Sequence, residues 1–342
     1  MFTSHTVPSP DDAFRAHQAM GSGREFDTIR LLMSRWGDLT ADIGDDAALL
    51  PPRASGTRVV STDACVEHVH FRSAWLSPRE IGHRAAAAAL SDLAAMGASA
   101  EFMLVAFVVP ESWDAVLPDV ADGIGDVVRE VGARIVGGNL SRGATFGITL
   151  TVIGNAERPV SRRGAQPGDL VLVTGTLGGP GSALAAWLDG QEPSAWARER
   201  FVHPWPRIAQ GQLLASHGVT AMLDISDGLA ADARHLSAAS GVWLALDAQS
   251  LPTGPDCAAS DVLASGEEYE LLATLPPELL PALQQTWNST THGRITVIGR
   301  VEAVTAAHSK LEPLVTPVPI AGHDHFAEAA ERVENPPRIG EL

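Results

Sequence analysis

The chain has 342 residues, 45% of them hydrophobic, and a mean hydropathy of +0.06, so it can bury a sizeable core and is long enough for two domains. Its 41 acidic and 24 basic residues leave a formal net charge of −17, which excludes the clustered Lys and Arg of a nucleic-acid groove. Lys310 is the only lysine and fits neither a Walker-type glycine loop nor a protein-kinase strand; phosphate handling would fall to arginines, backbone N–H groups and metal ions.

Cys65 and Cys257 make neither a disulfide framework nor a zinc pattern and fit a reducing compartment. The N-terminal stretch, with Pro8, Pro10, Asp11 and Asp12, lacks the apolar run of a signal peptide. No segment approaches the roughly 18 consecutive apolar residues of a membrane span. The expectation is a cytoplasmic protein with no membrane and no nucleic-acid partner.

Residues 1–23 read as a disordered lead-in. From Arg24 a helical face forms, with Phe26, Ile29, Leu32 and Met33 in register. Thr57–Thr62 reads as a strand ending at Asp63. Ser77-Pro78-Arg79-Glu80 is a capping box with proline at the first helical position, and the alanine-rich helix it opens stops at Gly97. Phe102–Val109 is an apolar strand, Trp113–Val131 a helix, Arg134–Val136 a strand running into Gly137-Gly138, and Phe146–Gly154 a further strand. A turn-rich joint, Arg162 to Asp169, separates this half from the next. Leu170–Thr174 is a buried strand entering a glycine loop (Gly175, Gly178, Gly179, Gly181), with a helix from about Ser182. Ala221–Ile225, Val242–Leu246, Tyr269–Leu275 and Arg294–Val301 then alternate with helical segments. The class is mixed α/β in two domains, residues 24–157 and 158–330, with a tail at 331–342.

Acids recur in Gly/Ser/Thr contexts within this apolar framework: Gly44-Asp45-Asp46, Ser61-Thr62-Asp63, Ser91-Asp92 and Asp224-Ile225-Ser226-Asp227-Gly228. Each alone reads as an N-cap or a turn. Asp92 lies in an Ala/Leu/Met helix, where an inward carboxylate needs a partner, and Mg²⁺ takes a few carboxylates together with water and substrate phosphates. Six such acids favour a shared metal site. Two glycine segments are candidate phosphate cradles: Gly137-Gly138-Asn139 with Arg142-Gly143, and Thr174 to Gly179, the second preceding a helix. Arg142, Arg162 and Arg207 are nearby candidates for charge-assisted bonds to phosphate. His68 and His70, two apart, could ligate a metal, but at a strand edge they read rather as plain polar residues.

Taken together these segments resemble the thiamine-monophosphate kinase family from Gly23 to Phe326. The resemblance rests on Ile43-Gly44-Asp45-Asp46, Ser61-Thr62-Asp63 with His70-Phe71, Leu90-Ser91-Asp92-Leu93-Ala94-Ala95-Met96-Gly97-Ala98, and Gly137-Gly138 with Arg142-Gly143. It continues through Pro167-Gly168-Asp169, Val173-Thr174-Gly175-Thr176, Pro206-Arg207, Asp224-Ile225-Ser226-Asp227-Gly228-Leu229, Gly266-Glu267 and Gly322-His323-Asp324-His325-Phe326. It implies a two-domain architecture like that of aminoimidazole ribonucleotide synthetase and a homodimer pairing its N-terminal sheets. It also implies ATP between the two halves, several Mg²⁺ ions, and direct transfer of the γ-phosphoryl group to thiamine monophosphate.

Carried over by residue, the resemblance implies catalytic roles for Asp45, Asp92, Asp224 and Arg142. It implies metal ligation by Asp45, Asp46, Thr62, Asp63, Asp92, Asn139, Asp224 and Asp227. Nucleotide contacts fall on Asp46, Thr62, Gly137, Gly138, Asn139, Arg162, Thr174, Gly175, Ser226 and Asp227, and acceptor contacts on His70, Glu267, His323 and Phe326. The chain departs from the family pattern at Ala64, His68, Ala89, Asn139-Leu140, His203, Ser265, Glu268 and His323. The alternatives are a superfamily phosphotransferase acting on another phosphorylated acceptor, or a nucleotide-binding paralogue with impaired turnover. Selenophosphate synthetase and the hydrogenase-maturation branch are disfavoured because their reactive or terminal cysteines have no counterpart here.

Overall fold

The computed structural model describes residues 24–40, 55–255, 257–290 and 293–305. Its first half contains α1 (Arg24–Trp36), β1 (Thr57–Val66), α2 (Pro78–Ala95), β2 (Ser99–Val109), α3 (Leu117–Val131), β3 (Arg134–Arg142) and β4 (Gly147–Ala156). The sheet order is β1-β4-β2-β3, with β2 and β3 parallel and the other pairs antiparallel.

The second half contains β5 (Leu170–Thr174), α4 (Gly179–Leu188), α5 (Ala195–Val202), α6 (Ile208–Ser216), β6 (Ala221–Asp224), α7 (Leu229–Ser240), β7 (Trp243–Leu246), α8 (Ala259–Ala264), β8 (Leu271–Leu275), α9 (Leu280–Thr290) and β9 (Ile295–Glu302). These strands form an antiparallel sheet of order β6-β8-β5-β9-β7. No described helix is long and apolar enough to cross a membrane.

Two strands run longer than local pattern indicates, because their partners extend them. Every residue of β1 from Thr57 to Val66 pairs with β4, so Asp63 sits within the strand opposite Leu150 and not at its end. Gly137, Gly138 and Asn139 likewise lie inside β3, paired with Leu104, Val105 and Ala106 of β2, and do not form a loop. A Cβ at Gly138 would stand 1.7 Å from the Val105 carbonyl oxygen, so the glycine serves close strand pairing. The helix expected from Trp113 starts later, after a single 3-10 turn at Glu111–Trp113.

Helix α2 organises the molecule. It opens on the expected capping box: the Glu80 N–H donates to Ser77 Oγ, and the Ser77 N–H donates to Glu80 Oε2. Its small residues let it be buried on nearly all sides, with Ala86, Ala87, Ala89, Leu90 and Leu93 at 0% exposure. It packs on α3, β1 and β4 of its own half, and on α5, α6 and β6 of the other. The cores follow this packing more than the chain order. Trp187, Phe201 and Val202 from α4 and α5 join the core built around Leu90, Phe107 and Ile148. Ala94 and Ala95 at the end of α2 pack with Leu172, Met222 and Trp287.

Because this layer is filled, Ala86→Leu should destabilise the fold by about 1–3 kcal/mol through overpacking, read as a lower urea midpoint with an unchanged slope. An unchanged midpoint would show slack around α2.

Candidate active site

The seam between the halves brings Asp92 of α2 and Asp224, the last residue of β6, into mutual electrostatic range. Ser61 Oγ on β1 donates to Asp92 Oδ2, and Ser91 Oγ donates to Asp224 Oδ2 at 2.7 Å. Burial, and then the facing Asp92, push the Asp224 carboxyl up to about 6; the Ser91 hydroxyl and the Arg162 guanidinium act in the opposite direction. The half-buried Asp92 and the buried Asp224, within electrostatic range of each other, offer oxygen donors suited to a hard dication. Among the described residues no three His, Cys, Asp or Glu side chains converge as a complete metal cluster.

Beyond Asp224 the chain turns through Ile225–Gly228 into α7. The amides of Ser226, Asp227 and Gly228 donate to Asp232 Oδ2 at 3.0, 3.1 and 3.1 Å. Burial, followed by Asp227 and Asp224, pushes the Asp232 carboxyl up to about 8. On the loop's other side the Glu267 N–H donates to the Ser226 carbonyl at 2.7 Å, and the Tyr269 N–H to the Ile225 carbonyl at 2.9 Å. Glu267 and Tyr269 hold left-handed backbone, φ 57° and 51°, a conformation that costs non-glycine residues about 1–3 kcal/mol each.

The seam continues along β1. Arg84 of α2, 2% exposed, pairs with Glu267, donates to the Phe201 carbonyl at 2.5 Å, and lies over the Phe201 ring. Burial drives the Cys65 thiol pKa up to about 12, with Arg84 pulling down and Glu267 and Asp63 adding to the rise. Asp63, Cys65, Arg84, Glu267 and Tyr269 are thus electrostatic neighbours. His70 Nδ1, just beyond β1, accepts from the Val66 N–H at 3.2 Å.

The second glycine segment closes on the protein itself. Thr174 Oγ1 donates to Glu270 Oε2 at 2.6 Å and accepts from the Leu271 N–H. The amides of Gly175, Leu177 and Gly178 donate to the Arg294 carbonyl, the Pro252 carbonyl and Glu268 Oε1. A Cβ on Gly175, at φ +69°, would stand 2.0 Å from Glu270 Oε1, so this glycine yields to a buried carboxylate. Thr174 stands two strands from Asp224 in the order β6-β8-β5 with its hydroxyl already engaged, and a bulky residue at Gly175 would press on Glu270.

Glu270 in turn is gripped by Arg200 at 2.8 Å and by a two-bond fork from Arg207 at 2.8 and 2.6 Å. Despite burial, these arginines hold its carboxyl below the usual range. Two departures from the family pattern meet here: Ser265 Oγ donates to Glu268 Oε1 and accepts from the Gly181 N–H. A third, His203, stacks edge-on against His83, which also meets Trp205.

Other candidate residues are dispersed. Thr62, Gly137 and Asn139 lie in β1 and β3, the two edges of the first sheet, about 14 Å apart at three strand spacings. Arg142 is seven residues beyond Ile135, which shares a sheet row with Ser61, roughly 20 Å along the strand. There it pairs with Asp114 at 2.7 Å, away from Asp92. Asp45, Asp46, His323 and Phe326 lie outside the described residues.

Sequence reading missed Arg84 and Asp232. Both carried a signal: an arginine directly before the alanine run of α2, and an acid in the first turn of an apolar helix.

Glu268 provides a pH test of this network. Burial pushes its carboxyl up to about 7, only partly opposed by Ser265, Gly178 and Arg200. The raised value means the folded state binds this proton more tightly than the unfolded chain. The group's favourable contribution is therefore present below pH ~4 and fades as pH rises through about 7. Thermal melts at pH 5 and pH 8 should show Glu268→Gln gaining on the parent as pH rises; a constant difference would count against a protonated Glu268.

Comparison with known proteins agrees with this architecture. The AIR synthase related protein N-terminal domain model matches residues 44–156, and the corresponding C-terminal domain model matches 166–310. The thiamine-monophosphate kinase of Mycobacterium tuberculosis (strain H37Rv) is 37% identical over 244 residues, 67% of this chain and 73% of that one. A crystal structure of thiamine-monophosphate kinase from Stenotrophomonas maltophilia K279a is 32% identical, covers 85% of this chain and 95% of its own, and superposes with a TM-score of 0.73. AaThiL complexed with AMPPCP and TMP is 29% identical, covers 88% and 97%, and gives a TM-score of 0.70. With both halves matched in order and relatives aligned along most of their length, the chain belongs to the thiamine-monophosphate kinase family of AIR synthase-related proteins.

Proposed function

We propose that the chain transfers the γ-phosphoryl group of ATP to the phosphate of thiamine monophosphate, giving thiamine diphosphate, with ATP and Mg²⁺ bound at the seam. The observation that carries this reading is the pairing of the half-buried Asp92 with the buried Asp224, positioned by Ser61 and Ser91 in a family whose relative AaThiL is complexed with AMPPCP and TMP. The carboxylate and hydroxyl oxygens fit Mg²⁺, which completes its shell with water and substrate phosphates. Bound Mg²⁺ would neutralise charge on the transferring phosphoryl group.

In this reading Asp92 and Asp224 hold the metal, and Asp45, Asp46, Asp63 and Asp227 add oxygen donors around it. Arg162, within range of Asp224, faces the nucleotide phosphates, and Ser226 supplies a hydroxyl beside them. Glu267, fixed by Arg84, and His70 border the acceptor end. The acceptor phosphate is already anionic near neutral pH, so no strong general base is needed; repulsion between anions is the main obstacle. The Ser265–Glu268 and His203–His83 contacts show these departures engaged in packing the second half and the seam. That favours thiamine monophosphate over another acceptor.

The test is ADP release with Mg²⁺-ATP across phosphorylated acceptors. Thiamine monophosphate should be the preferred acceptor, and Asp92→Ala or Asp224→Ala should lower kcat at least about 100-fold with the fold retained. Near-normal turnover in both variants would remove the seam from the reaction.

We further propose a homodimer through the open face of the first sheet. Phe102 and Val136, only 5% and 3% exposed, cluster there with the half-buried Leu104 and Ile153, and the exposed apolar side chains are Val60 and Val108 at 61% and 41%. Light scattering should give the mass of two chains, and Val60→Asp should give that of one; a wild-type monomer would refute the pairing.

A further inference from the structure

Asp232 has no part in the reading above, yet it controls the loop that carries Ser226 and Asp227. A helix entry is ordinarily satisfied by the N-cap side chain, but the N-cap of α7 is Gly228, which has none. An acid from inside the helix takes over. Asp232, in the first turn and 2% exposed, accepts from three consecutive amides on a single oxygen, Oδ2.

Three successive N–H groups turned to one point leave the loop little torsional freedom. Its carbonyls are used on the opposite side, where Ile225 and Ser226 accept from the Tyr269 and Glu267 N–H groups. The backbone is thus gripped from two directions, so the side chains of Ser226 and Asp227 project from a fixed frame, with the Asp227 carboxylate 3.9 Å from His235 Nε2.

We propose that Asp232 is a positioning residue for phosphoryl transfer: through the backbone of Ser226–Gly228 it sets the orientation of Ser226 and Asp227 toward a divalent cation–nucleotide complex, without touching that complex itself. This rests on the assignment of the seam to Mg²⁺ and ATP. Removing a residue that orients ligands from behind typically weakens metal binding about 10–100-fold, whereas a plain helix cap alters stability alone.

The experiment uses the full chain with Mn²⁺ and ADP as probe, reading bound Mn²⁺ by electron paramagnetic resonance beside a thermal melt. Asp232→Ala removes the acceptor, Asp232→Glu displaces it by one methylene, and Asp232→Asn keeps an acceptor oxygen in place. The expected result is nucleotide-dependent Mn²⁺ binding weakened at least about ten-fold in the Ala and Glu variants and within about three-fold of wild type in Asn. In steady state, kcat should fall in Ala and Glu with little change in KM for thiamine monophosphate. If Asp232→Ala does not fold, Asp232→Glu and Asp232→Asn carry the comparison. Wild-type Mn²⁺ binding in Asp232→Glu, whatever its melting temperature, would overturn the role of Asp232 alone. A wild-type chain that takes up no Mn²⁺-ADP would overturn both this role and the assignment of the seam.

Discussion

Asp92 and Asp224 repel each other, and the seam that holds them together is the constraint on which much of the remaining structure depends. One carboxylate comes from a helix of the first half and the other from a strand end of the second, so they meet only if the halves lock at a fixed distance. Helix α2 provides the lock: its alanines allow close approach from both sides, and its own Ser91 bonds to Asp224 across the seam. The Ser61 and Ser91 hydroxyls donate to the two carboxylates without adding positive charge. The repulsion is softened but not cancelled: burial first, and then Asp92, still raise the Asp224 carboxyl.

Local chemistry was legible in the sequence wherever it was local. The Ser77–Glu80 capping box, the wholly buried β5 and the glycine stop after α2 follow from residues within a few positions of one another. The ends of β1 and β3 were not, because partner strands set them: Asp63 and Asn139 stay extended through pairing with Leu150 and Ala106. The loop at Thr174–Gly179 illustrates the same limit at the site. Its glycines have the spacing of a phosphate cradle, yet Gly178 donates to Glu268, ninety residues away in sequence, and Thr174 to Glu270. No reading of the loop alone could tell whether its amides were available.

The arginines show why composition misleads about phosphate. A chain with one lysine invites the view that arginines take over anion binding, but most arginines with identified partners are structural. Arg84 fixes Glu267, Arg200 and Arg207 converge on Glu270, Arg58 meets Glu101, and Arg142 meets Asp114. The planar guanidinium suits these tasks because it forms forked bonds and stacks on rings, as Arg84 does on Phe201. A lysine in the same places could do neither.

That use of arginine has a consequence for the site. The acids at the seam, Asp92, Asp224 and Asp227, outnumber the cations acting on them, and Arg162 is the guanidinium that reaches Asp224. In a chain of net charge −17, a polyphosphate substrate would meet a repulsive field unless positive charge arrived with it. Under the proposed function, Mg²⁺ bound to ATP would do that, entering as part of the substrate with the carboxylates as its ligands. Acidity, which at first excludes a phosphate-rich partner such as nucleic acid, is thereby compatible with a phosphate-rich substrate. The difference is that nucleic acid needs a fixed basic surface, whereas a nucleotide can bring its own dication.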